Sequence, residues 1–242
     1  MNYAIISDIH GNLAALQRVL ARINELECDR IICLGDVVGY GPFPNECCDI
    51  IQKHANICII GNHDHAAVGA TSTEYFNKFA KSALFWTSHE LTPDNKNFLK
   101  ALPEIASEED LLFVHASPVE PLQWNYILSL YDAEDNFKAF EQQSCFIGHS
   151  HVPVIFSYED GEFPTCEPGP QIKLYDGFRY IINVGSVGQP RDKNPKASFG
   201  VYDSESKRFR FERVSYNVQE TQEAMREKNL PDFLIERLAL GR

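Results

Sequence analysis

Tyr3-Ala4-Ile5-Ile6-Ser7-Asp8-Ile9-His10-Gly11-Asn12 decides the fold reading of this chain. An apolar run from Tyr3 to Ser7 reads as a strand, and it ends in a carboxylate, an imidazole and a glycine. Leu13, Leu16, Leu20 and Ile23 then recur at helical spacing, which predicts an amphipathic helix over 12–26. The same unit repeats: strand Arg30–Leu34, helix 44–53, strand Asn56–Ile60. Strand and helix in alternation imply a parallel sheet wound with helices, an α/β fold.

Further along, helices are predicted over 73–90 and 93–101, the second with Thr92 as N-cap before Pro93. Strand Leu111–His115, helix Asp132–Gln142 and strand Cys145–Ile147 follow. After residue 150 the texture changes. Val152–Tyr158, Gln171–Leu174, Phe178–Asn183, Phe199–Asp203 and Phe209–Tyr216 read as strands joined by tight turns, which predicts a second, largely antiparallel sheet. The tail 217–240 is helical, divided at Pro231. With no repeat or linker in sight, the expectation is one domain over 1–242, with two sheets sharing a core and the tail helices appended.

Composition narrows the function classes. The 242 residues carry 22 basic and 34 acidic side chains, a net charge of −12. That disfavours a surface for long nucleic acid, whose affinity comes from clustered Lys and Arg. MNYAIISDIHGN lacks the basic and apolar regions of a signal peptide, and no apolar run approaches a membrane span. Seven cysteines, none in a C-x-x-C pair, read as reduced thiols of a cytoplasmic protein.

Five segments place chemistry just after predicted strands, where open α/β sheets build their sites. They are Asp8-Ile9-His10-Gly11-Asn12, Gly35-Asp36-Val37-Val38-Gly39-Tyr40-Gly41, Gly61-Asn62-His63-Asp64, Val114-His115-Ala116-Ser117 and Gly148-His149-Ser150-His151. On an extended backbone Asp8 and His10 point the same way, as do His149 and His151. Asp36 follows an apolar strand, where a carboxylate is costly unless a cation pairs with it. Each segment alone is an ordinary turn. Three Asp, one Asn and five His at five strand exits together point to a metal site. Imidazole, carboxylate and amide oxygen without thiolate suit Mn, Fe, Zn, Ni or Co. About seven ligands are too many for one ion and suit two, the usual clamp for phosphoryl displacement.

In that order the segments resemble the calcineurin-like metallophosphoesterase superfamily, in particular its small prokaryotic phosphodiesterase-like branch. The resemblance runs from Asp8 to His151, and the strands to about residue 215 fit the family's second sheet. It implies a four-layer α/β/β/α sandwich. It implies that Asp8, His10 and His151 bind one divalent ion, that Asn62, His115 and His149 bind a second, and that Asp36 bridges them. A bridging hydroxide would attack phosphorus. His63 would protonate the leaving oxygen or stabilise the transition state, and Asp64 would orient His63.

The protein phosphatases of this superfamily read Gly-Asp-x-Val-Asp-Arg-Gly, with the arginine on the substrate phosphate; here Tyr40 holds that position. They also usually read Gly-Asn-His-Glu where this chain has Asp64. A small phosphodiester is therefore the leading substrate class, ahead of phosphomonoesters and phosphoproteins, with a non-catalytic scaffold as a remote alternative. Asn183-Val184-Gly185-Ser186-Val187-Gly188-Gln189-Pro190-Arg191 is a glycine-rich turn or a loop at the site, with Arg191 as a replacement phosphate grip. Asn12, Tyr40 and Arg191 are the candidate substrate contacts. Trp124-Asn125-Tyr126 is a lid that stacks an aromatic group, or else core or a dimer contact.

Overall fold

The computed structural model describes every residue except Tyr75. The first half runs β1 (Asn2–Ile6), α1 (Leu13–Glu25), β2 (Arg30–Cys33), α2 (Pro44–His54), β3 (Ile57–Cys58), α3 (Asn62–Ala67), α4 (Lys78–Glu90) and α5 (Pro93–Ala101). Then come β4 (Ile105–Glu108), β5 (Leu111–Val114), α6 (Leu130–Phe137) and β6 (Ser144–Ile147). The remainder is β7 (Val154–Glu159), β8 (Thr165–Cys166), β9 (Gln171–Lys173), β10 (Phe178–Asn183), β11 (Ala197–Asp203), β12 (Arg208–Val214), α7 (Val218–Glu227) and α8 (Asp232–Leu238).

Two six-stranded mixed sheets result, in the orders β3-β2-β1-β11-β12-β9 and β4-β5-β6-β10-β7-β8. This corrects the expectation of a separate antiparallel sheet after residue 150. The late strands divide instead: β11 pairs antiparallel with β1, and β10 pairs parallel with β6. The period of two in each strand explains the layers. In β1, Tyr3 and Ile5 enter the core between the sheets, with Ile32, Phe113, Phe146, Ile182 and Phe209. Ala4 and Ile6 face the other way, onto Leu16, Val19 and Ile23 of α1 and Ile51 of α2. The outer face of the second sheet packs Cys145, Ile147 and Ile181 against Ala133 and Phe137 of α6. The layers are therefore α/β/β/α, as expected.

Helix boundaries follow their caps. α4 begins at Lys78, not 73, because the Asn77 side chain accepts from the backbone N–H groups of Phe79 and Ala80. Within the helix expected over 73–90, Tyr75 lies outside the described residues. α6 starts at a capping box of Ser129 and Asp132 and ends five residues early, at Phe137. Asn62-His63-Asp64, read as a loop, is the first turn of α3. Among the described residues, no helix is long and apolar enough to cross a membrane.

Candidate metal centre

The chemistry-bearing side chains leave the strand ends of both sheets at one point. Asp8 and His10 follow β1, Asp36 follows β2, Asn62 and His63 open α3, His115 follows β5, and His149 and His151 follow β6. All of them are buried. The backbone there is not extended, as the two-residue spacing implied. Asp8, His10, Asp36, His149 and His151 have φ of 54, 51, 51, 66 and 61°. This left-handed conformation costs a non-glycine residue about 1–2 kcal/mol, and such outliers cluster at functional sites. Backbone hydrogen bonds hold it: His10 N donates to the Asp36 carbonyl at 2.8 Å, and Gly188 N to the Asp8 carbonyl at 2.9 Å.

Three buried groups bring their ligand atoms within 4.8 Å of one another: Asp8, His10 and His151; His10, Asp36 and His63; Asp36, His115 and His149. His151 Nε2 lies 3.2 Å from Asp8 Oδ1 and 3.2 Å from His10 Nε2. His115 Nε2 lies 3.4 Å from Asp36 Oδ2 and 3.2 Å from Asn62 Oδ1. Asp36 Oδ2 is also 3.6 Å from His10 Nε2, so this carboxylate faces both halves of the centre.

The outer ring nitrogens decide what the inner ones can do. Nδ1 of His10, His115 and His151 meets the backbone carbonyls of Val38, Leu34 and Gln189 at 3.2, 2.7 and 2.6 Å. A carbonyl only accepts, so the proton belongs on Nδ1 and each Nε2 presents a lone pair. Asp8 Oδ1 and His149 Nε2 are buried without any hydrogen-bond partner. Lone pairs that converge in a buried space without a donor fit divalent cations. The nitrogen and oxygen donor set fits the metals expected from the sequence.

Electrostatics agrees. Burial alone would raise the Asp36 carboxyl, but His115 and His63 outweigh it and hold it well below the ordinary range. Burial works against a charge on His115, yet Asp36 and Asp8 push its pKa up to about 10. Without a metal the carboxylates thus hold the compensating positive charge as a second proton on His115, at Nε2, and a cation would take the place of that proton and free the lone pair.

Two glycines permit this crowding. A Cβ on Gly61 would lie 2.1 Å from Asp36 Oδ1, and one on Gly39 would lie 2.7 Å from Nδ1 of both His10 and His63. The His63 ring is held by packing against Tyr40, His10 and Phe76, at centroid distances of 4.4, 4.7 and 5.0 Å. Its Nδ1 is buried without a hydrogen-bond partner.

The Asp64 carboxylate makes no hydrogen bond to His63 Nδ1, which corrects its expected role as orienter. Its oxygens accept from Val38 N at 3.0 Å and Gly61 N at 3.1 Å, tying the 35–41 loop to the start of α3. Asn12 also departs from expectation. Its Nδ2 donates to the Gly188 carbonyl and the Tyr216 hydroxyl, and its Oδ1 accepts from Ala15 N and the Thr221 hydroxyl. With all four positions used, Asn12 is a helix cap and a tie to α7, not a substrate contact.

A cleft of about 640 Å³ opens over the centre, with Asp36, Asn62, His63, His149 and His151 along it. Tyr40 and Arg191 both line it, and Arg191 Nη2 donates to the Tyr40 hydroxyl at 3.3 Å. Trp124 and Tyr126 line it as well. Tyr126 stacks on His149 at 4.1 Å, and Trp124 stands edge-on to His115 at 5.9 Å. The 183–191 loop reaches the site: Ser186 donates to the Asp8 carbonyl at 2.8 Å, and Asn183 donates to Gly148 and to Ser150. Phe233 and Arg237 of α8 complete the cleft and were not foreseen. Their helix reads as ordinary amphipathic packing, and no local motif marks them.

Residues 1–207 match the model of the calcineurin-like phosphoesterase superfamily domain. The uncharacterized protein MJ0912 of Methanocaldococcus jannaschii is 40% identical over 243 residues, covering 99% of this chain and 98% of that one. A metallophosphoesterase from Sphaerobacter thermophilus superposes with a TM-score of 0.88 at 41% identity, over 100% of this chain and 99% of that one. The hypothetical protein PH1004 of Pyrococcus horikoshii shares the fold, with a TM-score of 0.82 at 20% identity over 100% and 98% of the two chains. With its strand-end histidines and carboxylates gathered into one buried cluster, the chain belongs to the calcineurin-like phosphoesterase superfamily.

Proposed function

We propose that this chain is a two-metal phosphoesterase acting on small phosphoesters, phosphodiesters foremost. The observation that carries the reading is the convergence of buried imidazole nitrogens and carboxylate oxygens at one point, with Asp8 Oδ1 and His149 Nε2 left without any hydrogen-bond partner. Asp8, His10 and His151 would hold one divalent ion (Mn, Fe, Zn, Ni or Co), and Asn62, His115 and His149 the other, with Asp36 between them. When bound, the two ions supply Lewis acidity at the phosphoryl oxygens and acidify the attacking water.

The chain's own residues do the rest. Burial holds His63 down to about 4, with Arg191 adding to the effect and Asp36 opposing it. Its ring is therefore neutral near pH 7 and serves as an N–H donor to the phosphoryl or leaving oxygen. Arg191, held on the Tyr40 hydroxyl, offers a guanidinium to the phosphate groups of a substrate in the cleft. Trp124 and Tyr126 stack an aromatic leaving group and keep water out. The net charge of −12, offset by only four charges from two ions, repels large polyanions and favours a small substrate. The seven free thiols suit a reducing cytoplasm.

The test is hydrolysis of bis-p-nitrophenyl phosphate beside p-nitrophenyl phosphate by metal-stripped protein with Mn²⁺, Ni²⁺, Zn²⁺ or Mg²⁺ restored singly. Metal-dependent cleavage of the diester is expected, reduced at least about 100-fold in Asp36→Asn. A preference for the monoester would reverse the substrate order. No cleavage with any metal would favour a scaffold.

A further inference from the structure

The cleft carries two guanidinium groups from separate elements, Arg191 after the 183–190 loop and Arg237 on α8. Arg191 Nη2 donates to Tyr40 Oη at 3.3 Å and Gln189 Oε1 at 3.0 Å, while its Nε is buried without a partner. Arg237 lies against the Phe233 ring, 5.3 Å from its centroid, and its Nε donates to the backbone oxygen of Arg242. Among the described residues, neither has an Asp or Glu carboxylate within ion-pair distance, whereas Arg22, Arg30, Arg210 and Arg213 each do. Both line the cleft over the candidate metal centre, whereas Arg22, Arg30, Arg210 and Arg213 are neutralised by carboxylates outside it. Burial lowers the Arg237 pKa to about 10, and the positive charge of Arg191 adds to the effect.

The position of α8 ties this pair to the centre. Tyr40 packs in one cluster with Leu234, Ile235 and Leu238 of α8, and its ring also lies against His10 at 4.3 Å. The residues that match the family model stop at 207, so Arg237 and Phe233 come from the segment beyond it.

We propose that Arg191 and Arg237 form an anion subsite for a second phosphoryl group, so that the preferred substrate is a nucleotide bearing at least two phosphates. The proposal rests on the phosphoesterase reading above and deepens it. One phosphate lies over the metal centre. The next is bound by two planar forks suited to phosphate oxygens. Trp124 and Tyr126, which line the same cleft, offer aromatic faces for the base. The C-terminal helix is thereby a specificity element.

The test is calorimetric binding of AMP and of α,β-methylene-ADP to the Mn²⁺-loaded protein. It is read as the ratio of the two Kd values in the wild type, Arg237→Gln and Arg237→Lys. The wild type is expected to bind the diphosphate at least about tenfold more tightly, the worth of one charge-assisted hydrogen bond. Arg237→Gln brings the ratio near one, and Arg237→Lys retains part of it. A wild-type ratio near one overturns the proposal, and so does a preference that survives Arg237→Gln, because the ions would then be its source. A general loss of stability affects both ligands and does not mimic the result. Hydrolysis of bis-p-nitrophenyl phosphate by the same samples tests the parent reading separately. Turnover without a diphosphate preference removes only the subsite. A preference lost in Arg237→Gln, with no turnover on any metal, supports the subsite and removes the phosphoesterase reading.

Discussion

His10 and His151 are 141 residues apart in the chain, yet their Nε2 atoms face each other at 3.2 Å. Each ring is turned by a backbone carbonyl at Nδ1, Val38 for His10 and Gln189 for His151. Asp8 Oδ1 stands 3.2 Å from the same His151 nitrogen. Acceptors held this close repel one another, and a cation among them turns the repulsion into binding. Four measurable consequences follow from this and from the bonds around it.

A metal that binds only the folded state stabilises it by mass action. Saturating Mn²⁺ should raise the Tm of stripped protein by about 5–10 °C. His151→Ala should lose most of that rise while its metal-free Tm changes less. A thermal melt insensitive to every divalent ion tested would contradict the cation reading.

Gly61 has no room for a methyl group, because a Cβ there would meet Asp36 Oδ1 at 2.1 Å and Asp36 N at 2.3 Å. Gly61→Ala should cost about 1–3 kcal/mol in urea unfolding and weaken the Mn²⁺-dependent shift in Tm. Wild-type stability with a normal metal response would show that the loop yields easily.

Asn12 separates a structural role from a substrate role. Asn12→Ala removes a helix cap and leaves the Thr221 hydroxyl and the Gly188 carbonyl without this partner. Stability should fall by about 1–3 kcal/mol, while KM for bis-p-nitrophenyl phosphate stays within about twofold of the wild type. A large rise in KM at unchanged stability would restore Asn12 as a substrate contact.

Asp64 gives a pH signature. Burial, helped by Asp36, raises its pKa to about 7 against the bonds from Val38 N and Gly61 N. An unfolded aspartate titrates near 4. Between these values the folded state holds a proton that the unfolded state has released, so stability falls as pH rises across the window, by on the order of 1 kcal/mol per unit. Asp64→Asn abolishes that titration. In metal-free protein the stability of the variant relative to the wild type should therefore improve from pH 5 to 7. A difference flat with pH would mean that Asp64 is ionised throughout.

The strands that carry the ligands were legible because their signals are local. Apolar runs such as Tyr3–Ile6 and Arg30–Cys33 sit beside helices of clear period. The residues after them were legible because buried carboxylates and imidazoles have few structural reasons to gather at strand exits. The assignment of β10 and β11 to different sheets was not legible, because strand pairing depends on partners far away in the chain. Asn183 pairs with Ile147, and Tyr3 with Tyr202.

The sequence by itself determined which residues are candidates for holding metal, their order, and the α/β framework, because residue chemistry and hydrophobic period are properties of short segments. Tertiary structure alone decided how these residues are used. It placed five of the ligand candidates in left-handed backbone, gave the Asp64 carboxylate to two backbone amides, spent Asn12 on a tie to α7, and brought Arg237 to the cleft. Each of these outcomes rests on contacts between segments distant in the chain, which only the packed sheets and their flanking helices bring within hydrogen-bond range.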